Sequence, residues 1–341
     1  MTTSNGTSSD IGRIVTLTPN PSTDRTIELA GPLRRGAVQR TSSVLDQAGG
    51  KGVNISRACL AAGVPTTAVL PAAADDPFVL ELEHAGVHHR LVTPDGPVRV
   101  NVTISEPDGT TTKLNSPGAT ATPGTLTALA DALHELAADA AWVVLAGSLP
   151  PGAPAHWYAD LVADLRTLTR VAVDTSEAPL QALVDRLTPG SAPHLMKPNG
   201  EELASFTGGD ADTIESDPQA AADAARTLLD RGVTEVLATL GGHGAVLVTA
   251  DGAWHATPPP TEVVSTVGAG DSSLFGYLLG GLRGQSPADR LALAVAYGSA
   301  AAGLPGTTIP QPAQARPHLV VVRELAVSPS THHHTTPGAR A

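Results

Sequence analysis

From residue 123 to residue 301, short β-branched apolar runs alternate with helical stretches, and this constrains the fold more than any other feature. Leu126 to Ala138 reads as helix, Trp142 to Leu145 as strand, Ala155 to Leu168 as helix and Val171 to Val173 as strand. Glu201 to Phe206 opens another helix and Ala220 to Arg231 is helical. Val236 to Leu240 and Ala245 to Val248 are strands, and Asp271 to Leu282 and Ala288 to Ala301 are the last long helices. Strands separated by helices imply a parallel α/β sheet, because a parallel partner is reached only through a long crossover, and such a sheet is covered on both faces.

The first third begins the same way. Arg13 to Thr18 is a buried first strand ended by Pro19, Val53 to Ala62 a helix closed by Gly63, and Thr66 to Leu70 another buried strand. Two segments break the rule: Thr26 to Leu29 and Thr41 to Leu45 around Gly31-Pro32, and Val98 to Ser105 and Thr110 to Leu114 around the hairpin signal Pro107-Asp108-Gly109. They are expected to form a small second sheet or lid, with lid segments at about 24–46 and 97–116 of one domain spanning 13–325. Residues 1–12 and 326–341, the latter rich in Ser, Thr, Pro and His, are expected to be disordered tails.

With 33 acidic and 21 basic residues among 341, the net charge of −12 argues against nucleic acid or an anionic membrane as partner. One cysteine, Cys59, excludes an internal disulfide and is expected in the core. Met1 to Gly12 lacks the parts of a signal peptide, and no apolar run approaches the roughly 18 residues of a membrane helix, so a soluble cytoplasmic protein is expected. Only three lysines exist: Lys51, Lys113 and Lys197.

Five segments carry chemistry. Thr266-Val267-Gly268-Ala269-Gly270-Asp271 opens a helix, where converging backbone N–H groups and the helix dipole suit an anion. A carboxylate there either complements the dipole or takes a proton from an attacking hydroxyl. Gly49-Gly50-Lys51-Gly52-Val53-Asn54 opens another helix and fits a phosphate or polyhydroxyl ligand, or simply a structural turn; it is neither a Walker A loop nor GxGxxG. In Lys197-Pro198-Asn199-Gly200-Glu201-Glu202, Asn199 and Glu202 suit a helix cap, and could also organise a hydrated Mg²⁺. Asp24, in Asn20-Pro21-Ser22-Thr23-Asp24 after the first strand, is placed either for sugar hydroxyls or for a turn. Arg99 and Asn101 alternate on one strand and share a face, where arginine suits a phosphate. His84, His88 and His89 lack zinc-like companions, as do His332 to His334, and Gly147-Ser148-Leu149-Pro150 is no hydrolase elbow.

Together and in this order the motifs resemble the ribokinase-like (PfkB) carbohydrate kinases, nearest their 1-phosphofructokinase branch and its tagatose-6-phosphate kinase neighbour. The resemblance rests on Thr18 to Asp24, Gly49 to Asn54, Val98 to Val102, Gly147 to Gly152, Lys197 to Leu203, Thr239 to Gly244 and Gly268 to Asp271, and covers roughly Arg13 to Arg323. It implies an αβα sandwich with a mainly parallel central sheet and a small β lid that often mediates dimerisation, here a homodimer. It implies ATP and Mg²⁺, a sugar phosphate as substrate, and phosphorylation of D-fructose 1-phosphate at its 6-hydroxyl. Tagatose 6-phosphate or fructose 6-phosphate is the alternative, and a non-catalytic sugar-phosphate-binding regulator the alternative of another class. By the same resemblance Asp271 is the base, with Gly268, Ala269 and Gly270 forming the anion hole. Asp24, Gly49, Gly50, Lys51, Asn54, Arg99 and Asn101 hold the sugar phosphate. Lys197, Asn199, Thr239, Gly241, Gly244 and Gly270 hold the nucleotide, and Asn199 and Glu202 order Mg²⁺ through water. The chain departs from the family pattern at Ala72 to Pro77, where Gly-Gly-x-x-Gly is common, and at Ser265-Thr266, where many members carry Asp-Thr. It departs also at Thr103, where a lysine is common; that charge then falls to Lys113 or Arg34.

Overall fold

The computed structural model describes residues 12–326, so both expected tails, apart from Gly12 and Ala326, lie outside the described residues. In chain order the elements are β1 (Arg13–Leu17), β2 (Ser22–Leu29), β3 (Thr41–Gly49), α1 (Lys51–Ala61), β4 (Thr66–Pro71), α2 (Pro77–His84), β5 (His89–Val92), β6 (Arg99–Ser105) and β7 (Thr111–Leu114). Then come α3 (Pro123–Ala137), β8 (Ala140–Ala146), α4 (Trp157–Leu165), β9 (Arg170–Asp174), α5 (Glu177–Asp185), β10 (Leu195–Met196), α6 (Gly200–Thr207), α7 (Ala211–Ser216) and α8 (Pro218–Leu229). The chain closes with β11 (Glu235–Thr239), β12 (Ala245–Thr249), β13 (Gly252–Thr257), α9 (Ala269–Leu282), α10 (Pro287–Ala302) and β14 (Val321–Glu324).

Ten strands form the main sheet in the order β14-β13-β12-β11-β10-β9-β8-β1-β4-β5. From β5 across to β11 every pairing is parallel, as the alternation demands. The sheet is mainly parallel, as expected, but its β11 to β14 edge is antiparallel. The cause is local: only residues 240–244 link β11 to β12, and so short a link permits a hairpin but no crossover.

Strand β8 shows how the layers form. Val143 and Leu145 enter a core with Leu129, Tyr158, Val162 and Leu228 from α3, α4 and α8. Trp142 and Val144 enter the opposite core with Ile55, Leu274, Phe275, Leu278 and Tyr297 from α1, α9 and α10. Both faces of the sheet are therefore buried, so its strands read as continuous apolar runs rather than alternating ones. Cys59 is fully buried in the second core, as expected. Among the described residues, no helix is long and apolar enough to cross a membrane.

The two segments that broke the alternation form a separate four-stranded sheet, β3-β2-β6-β7. Strands β2 and β3 run closer to the core than the sequence suggested, to Ser22 and Gly49. The sheet leaves the core beside β1 and overhangs one end of the main sheet.

Candidate active site

The strand ends β1, β9, β10 and β11 and the N-termini of α1, α6 and α9 meet at one edge of the sheet, where open α/β sheets bind ligands. Two clefts lie there. One, of about 460 Å³, is lined by Asp24, Gly50, Lys51, Asn54, Arg99, Asn101, Lys197, Glu202, Gly268 and Asp271. The other, of about 720 Å³, is lined by Gly241, Gly244, Ala269 and the Pro258 to Pro260 wall. Asn199, Thr239 and Gly270 line both, so the clefts join at the start of α9.

That start is built for an open N-terminus. Gly268 takes the left-handed conformation (φ 77°) and offers no side-chain cap, so the first-turn N–H of Gly270 has no side-chain partner. Asp271, one residue on, is 6 % exposed and accepts a hydrogen bond from Asn54 Nδ2 at 2.8 Å, across 217 residues of sequence. Burial raises its pKa; the Lys51 charge draws it down and Asp174 pushes it up again. The neighbouring Ala269 N donates to Thr266 O at 3.3 Å, a long bond. A carboxylate held above its ordinary range beside the open Gly270 amide is suited to accept a proton while that amide faces an anion.

Below it lies a group the sequence reading missed. Asp174, at the end of β9, is fully buried between two lysines: its Oδ1 accepts from Lys51 Nζ at 2.6 Å and its Oδ2 lies 3.2 Å from Lys197 Nζ. Burial opposes its charge, yet Lys197 and Lys51 outweigh that and hold the carboxyl below its ordinary pKa. Burial also opposes the Lys51 charge, and Asp174 together with Asp271 more than restores it. Position at a strand's C-terminal end was the available signal. Thr18, Ser148, Ser176 and Thr307 also line the smaller cleft without having been singled out. Ser176 precedes Glu177, a non-glycine residue in the left-handed region at φ 56°.

On the lid side, Asp24 Oδ1 accepts from Ser22 Oγ at 2.8 Å and Asn101 Nδ2 at 3.2 Å, and burial raises its pKa. Gly49 lines neither cleft. It lies against Asp24 so closely that a Cβ there would collide with the carboxylate, which explains glycine at this position. Arg99 does face the cleft, but its guanidinium also donates to Ser116 O (2.8 Å) and Asn20 O (3.1 Å), tying the lid to the β1–β2 turn.

Asn199 and Glu202 form a reciprocal capping box on α6: Asn199 Oδ1 accepts from Glu202 N at 2.7 Å and Glu202 Oε2 accepts from Asn199 N at 2.9 Å. That leaves the second Glu202 oxygen uncommitted by the cap. Among the described residues no three His, Cys, Asp or Glu side chains gather into a metal cage. An uncommitted carboxylate oxygen at a helix start is the donor type that would order the waters of a hydrated magnesium ion. Lys197, assigned to the nucleotide by resemblance, lies in the smaller cleft, with its ammonium group against Gly270.

A family model described as pfkB family carbohydrate kinase matches residues 18–314. The chain is 37 % identical over 305 residues to a 1-phosphofructokinase of Rhodobacter capsulatus, covering 88 % of this chain and 93 % of the relative. It is 32 % identical over 297 residues to the 1-phosphofructokinase of Escherichia coli strain K12, covering 85 % and 90 %. Among solved structures it is similar to phosphofructokinase-2 from Escherichia coli in complex with substrates and products. That match has a TM-score of 0.80 and 28 % identity, and covers 89 % of this chain and 97 % of the other.

Proposed function

Because the chain belongs to the pfkB family of carbohydrate kinases, we propose that it transfers the γ-phosphoryl group of ATP to the 6-hydroxyl of D-fructose 1-phosphate, giving fructose 1,6-bisphosphate. The observation that carries this reading is the buried Asp271 carboxylate beside the uncapped start of α9, at the junction of the two clefts. Asp271 takes the hydroxyl proton as the sugar oxygen attacks the γ-phosphorus. The Gly270 amide, joined by that of Ala269 on exchanging its long bond to Thr266 O, stabilises the charge on the moving phosphoryl group, and ADP leaves toward the larger cleft. Magnesium, when bound with ATP, neutralises phosphate charge; Glu202 and Asn199 are the residues that would order its waters.

Asp24 accepts hydrogen bonds from the sugar hydroxyls, Asn101 and Ser22 hold Asp24, and Arg99 faces the sugar's phosphate. Ladder register supports Lys113 over Arg34 as the second lid cation. Lys113 stands directly opposite Thr103, and so shares the cleft-facing side of Arg99 and Asn101. Arg34 belongs to the β2–β3 loop, which is tied by Leu33 N to Glu106 at the lid's far tip. The opposite side of the lid carries Ile27, Val44, Val102, Ile104 and Leu114, with Val44 and Leu114 more than half exposed, which supports a homodimer through that face. We read 13–325 as the kinase domain and the cytoplasm as its compartment.

The test is ADP release measured with fructose 1-phosphate, tagatose 6-phosphate and fructose 6-phosphate. The highest kcat/KM is expected with fructose 1-phosphate, and a higher value with either other sugar overturns the substrate. Asp271→Asn is expected to lower kcat by about 10²–10⁴ while sugar binding by calorimetry persists. Near-normal turnover in that variant overturns the mechanism.

A further inference from the structure

We propose that Asp174 is a positioning residue: an internal counter-anion that holds Lys51 and Lys197 side by side beneath the path of the transferred phosphoryl group. The proposal rests on the kinase reading above for the identity of that path, but its geometry stands apart from it.

Asp174 reaches no cleft. Its side chain is wholly buried, and its carboxylate oxygens each meet a different ammonium group. The two lysines arrive from distant elements, Lys51 at the first residue of α1 and Lys197 just after β10. Both line the smaller cleft. Side by side, two ammonium groups repel, and burial disfavours each; a single carboxylate between them removes both penalties. The Lys51 bond is short and aligned. The Lys197 contact at 3.2 Å is an ion pair without an aligned hydrogen bond, and its ammonium group is the one packed against Gly270 at the start of α9.

The strand end that carries this carboxylate is itself held, through its backbone. Gly147 N donates to Asp174 O at 2.9 Å, while the hydroxyls of Tyr158 and Thr175 both donate to Gly147 O at 3.0 Å. Three layers result: a hydrogen-bonded strand end, a buried carboxylate, and two cations facing the cleft. A phosphoryl group in transit meets charges whose places were fixed before it arrived, which is where electrostatic preorganisation gets its strength.

The chain's three lysines make a test that does not depend on turnover. The protein is labelled with acetic anhydride and each lysine's modification rate is read by mass spectrometry, with exposed Lys113 as internal reference. In the unaltered protein, Lys51 and Lys197 are expected to react slowly. In Asp174→Asn, Lys51 is expected to react about tenfold faster relative to Lys113, because a half-buried ammonium group that has lost its counter-charge gives up its proton more readily. In the same variant kcat is expected to fall by about 100-fold, with the sugar KM changed by less than about threefold, as for a misplaced catalytic environment. Asp174→Glu keeps the charge, and is expected to keep both lysines slow while still lowering kcat. It supplies the reading if Asp174→Asn does not fold. Unchanged labelling ratios in a folded Asp174→Asn, fast lysines in Asp174→Glu, or wild-type kcat in either variant overturns the proposal. A protein with slow Lys51 and Lys197 but no turnover of any sugar phosphate would instead overturn the kinase reading alone.

Discussion

Substituting Gly49 by alanine adds one methyl group at the point where β3 passes the Asp24 carboxylate. A Cβ at Gly49 falls in contact range of both Asp24 oxygens, with Oδ2 the nearer. Gly49 is the ladder partner of Ser22, so neither strand can retreat without losing register. The carboxylate must turn, and in turning it leaves Ser22 Oγ and Asn101 Nδ2. Hydrogen bonds to a charged group are worth about 1.5–3 kcal/mol, so losing one to the sugar raises its KM by about tenfold to a hundredfold. Overpacking costs about 1–3 kcal/mol of stability. Because Asp271 lies on a different element, saturating kcat should change by less than about threefold. Steady-state ADP release against sugar phosphate, with a denaturant melt, measures all three quantities. Gly31→Ala, in the loop just past β2 with no atom within 4 Å of the added methyl, is the control. A folded Gly49→Ala protein with unaltered sugar KM would show that Asp24 does not hold the sugar.

Further expectations concern charge and backbone. Lys51 draws the Asp271 pKa down, so Lys51→Met should move the acid limb of kcat/KM to higher pH, since the base must be unprotonated to act; a limb that stays put or moves to lower pH contradicts this. Lys113→Thr should raise the sugar-phosphate KM by about tenfold, and the exchange Thr103→Lys with Lys113→Thr should restore it, because the cation only crosses to the neighbouring strand on the same face. Failure of the exchange to rescue binding removes Lys113 from the site. Glu177→Gly relieves a left-handed backbone that Glu177→Ala does not, so the two should differ in unfolding free energy by about 1 kcal/mol in favour of glycine; equal values would refute the strain.

The sequence made the parallel half of the fold legible because helices of sufficient length separate its strands. It concealed the antiparallel edge: β13 and β14 carry mixed composition, and β11, β12 and β13 follow one another with no α-helix between them. Helix α2 was hidden for a different reason. Asp75-Asp76-Pro77 reads as a loop, whereas Asp76 caps the helix and Pro77 occupies its first turn. In the site, residues inside glycine-rich or helix-opening motifs could be found, since the motif itself has a physical purpose. Asp174 was harder, because its significance comes from two lysines 123 residues before it and 23 residues after it, and its place at a strand's C-terminal end was the one local signal. Gly49 shows the converse: its glycine-rich motif stands out in the sequence, but only the fold shows that it lines no cleft and contributes the space it leaves beside Asp24.

The 217-residue separation between Asn54 and Asp271 has a consequence for how the molecule is made. At about 5–20 residues per second on a ribosome, some ten to forty seconds pass between the emergence of the two partners. Early in that interval β4, and then β8, become available to pair with β1, while the helices α9 and α10 that cover one face are still to be synthesised. The nascent chain therefore presents an unroofed apolar sheet with a basic, half-built pocket at its edge. Competence to bind ligand arrives with the last few dozen residues of the fold, so a truncated chain is a client for chaperones before it can be anything else.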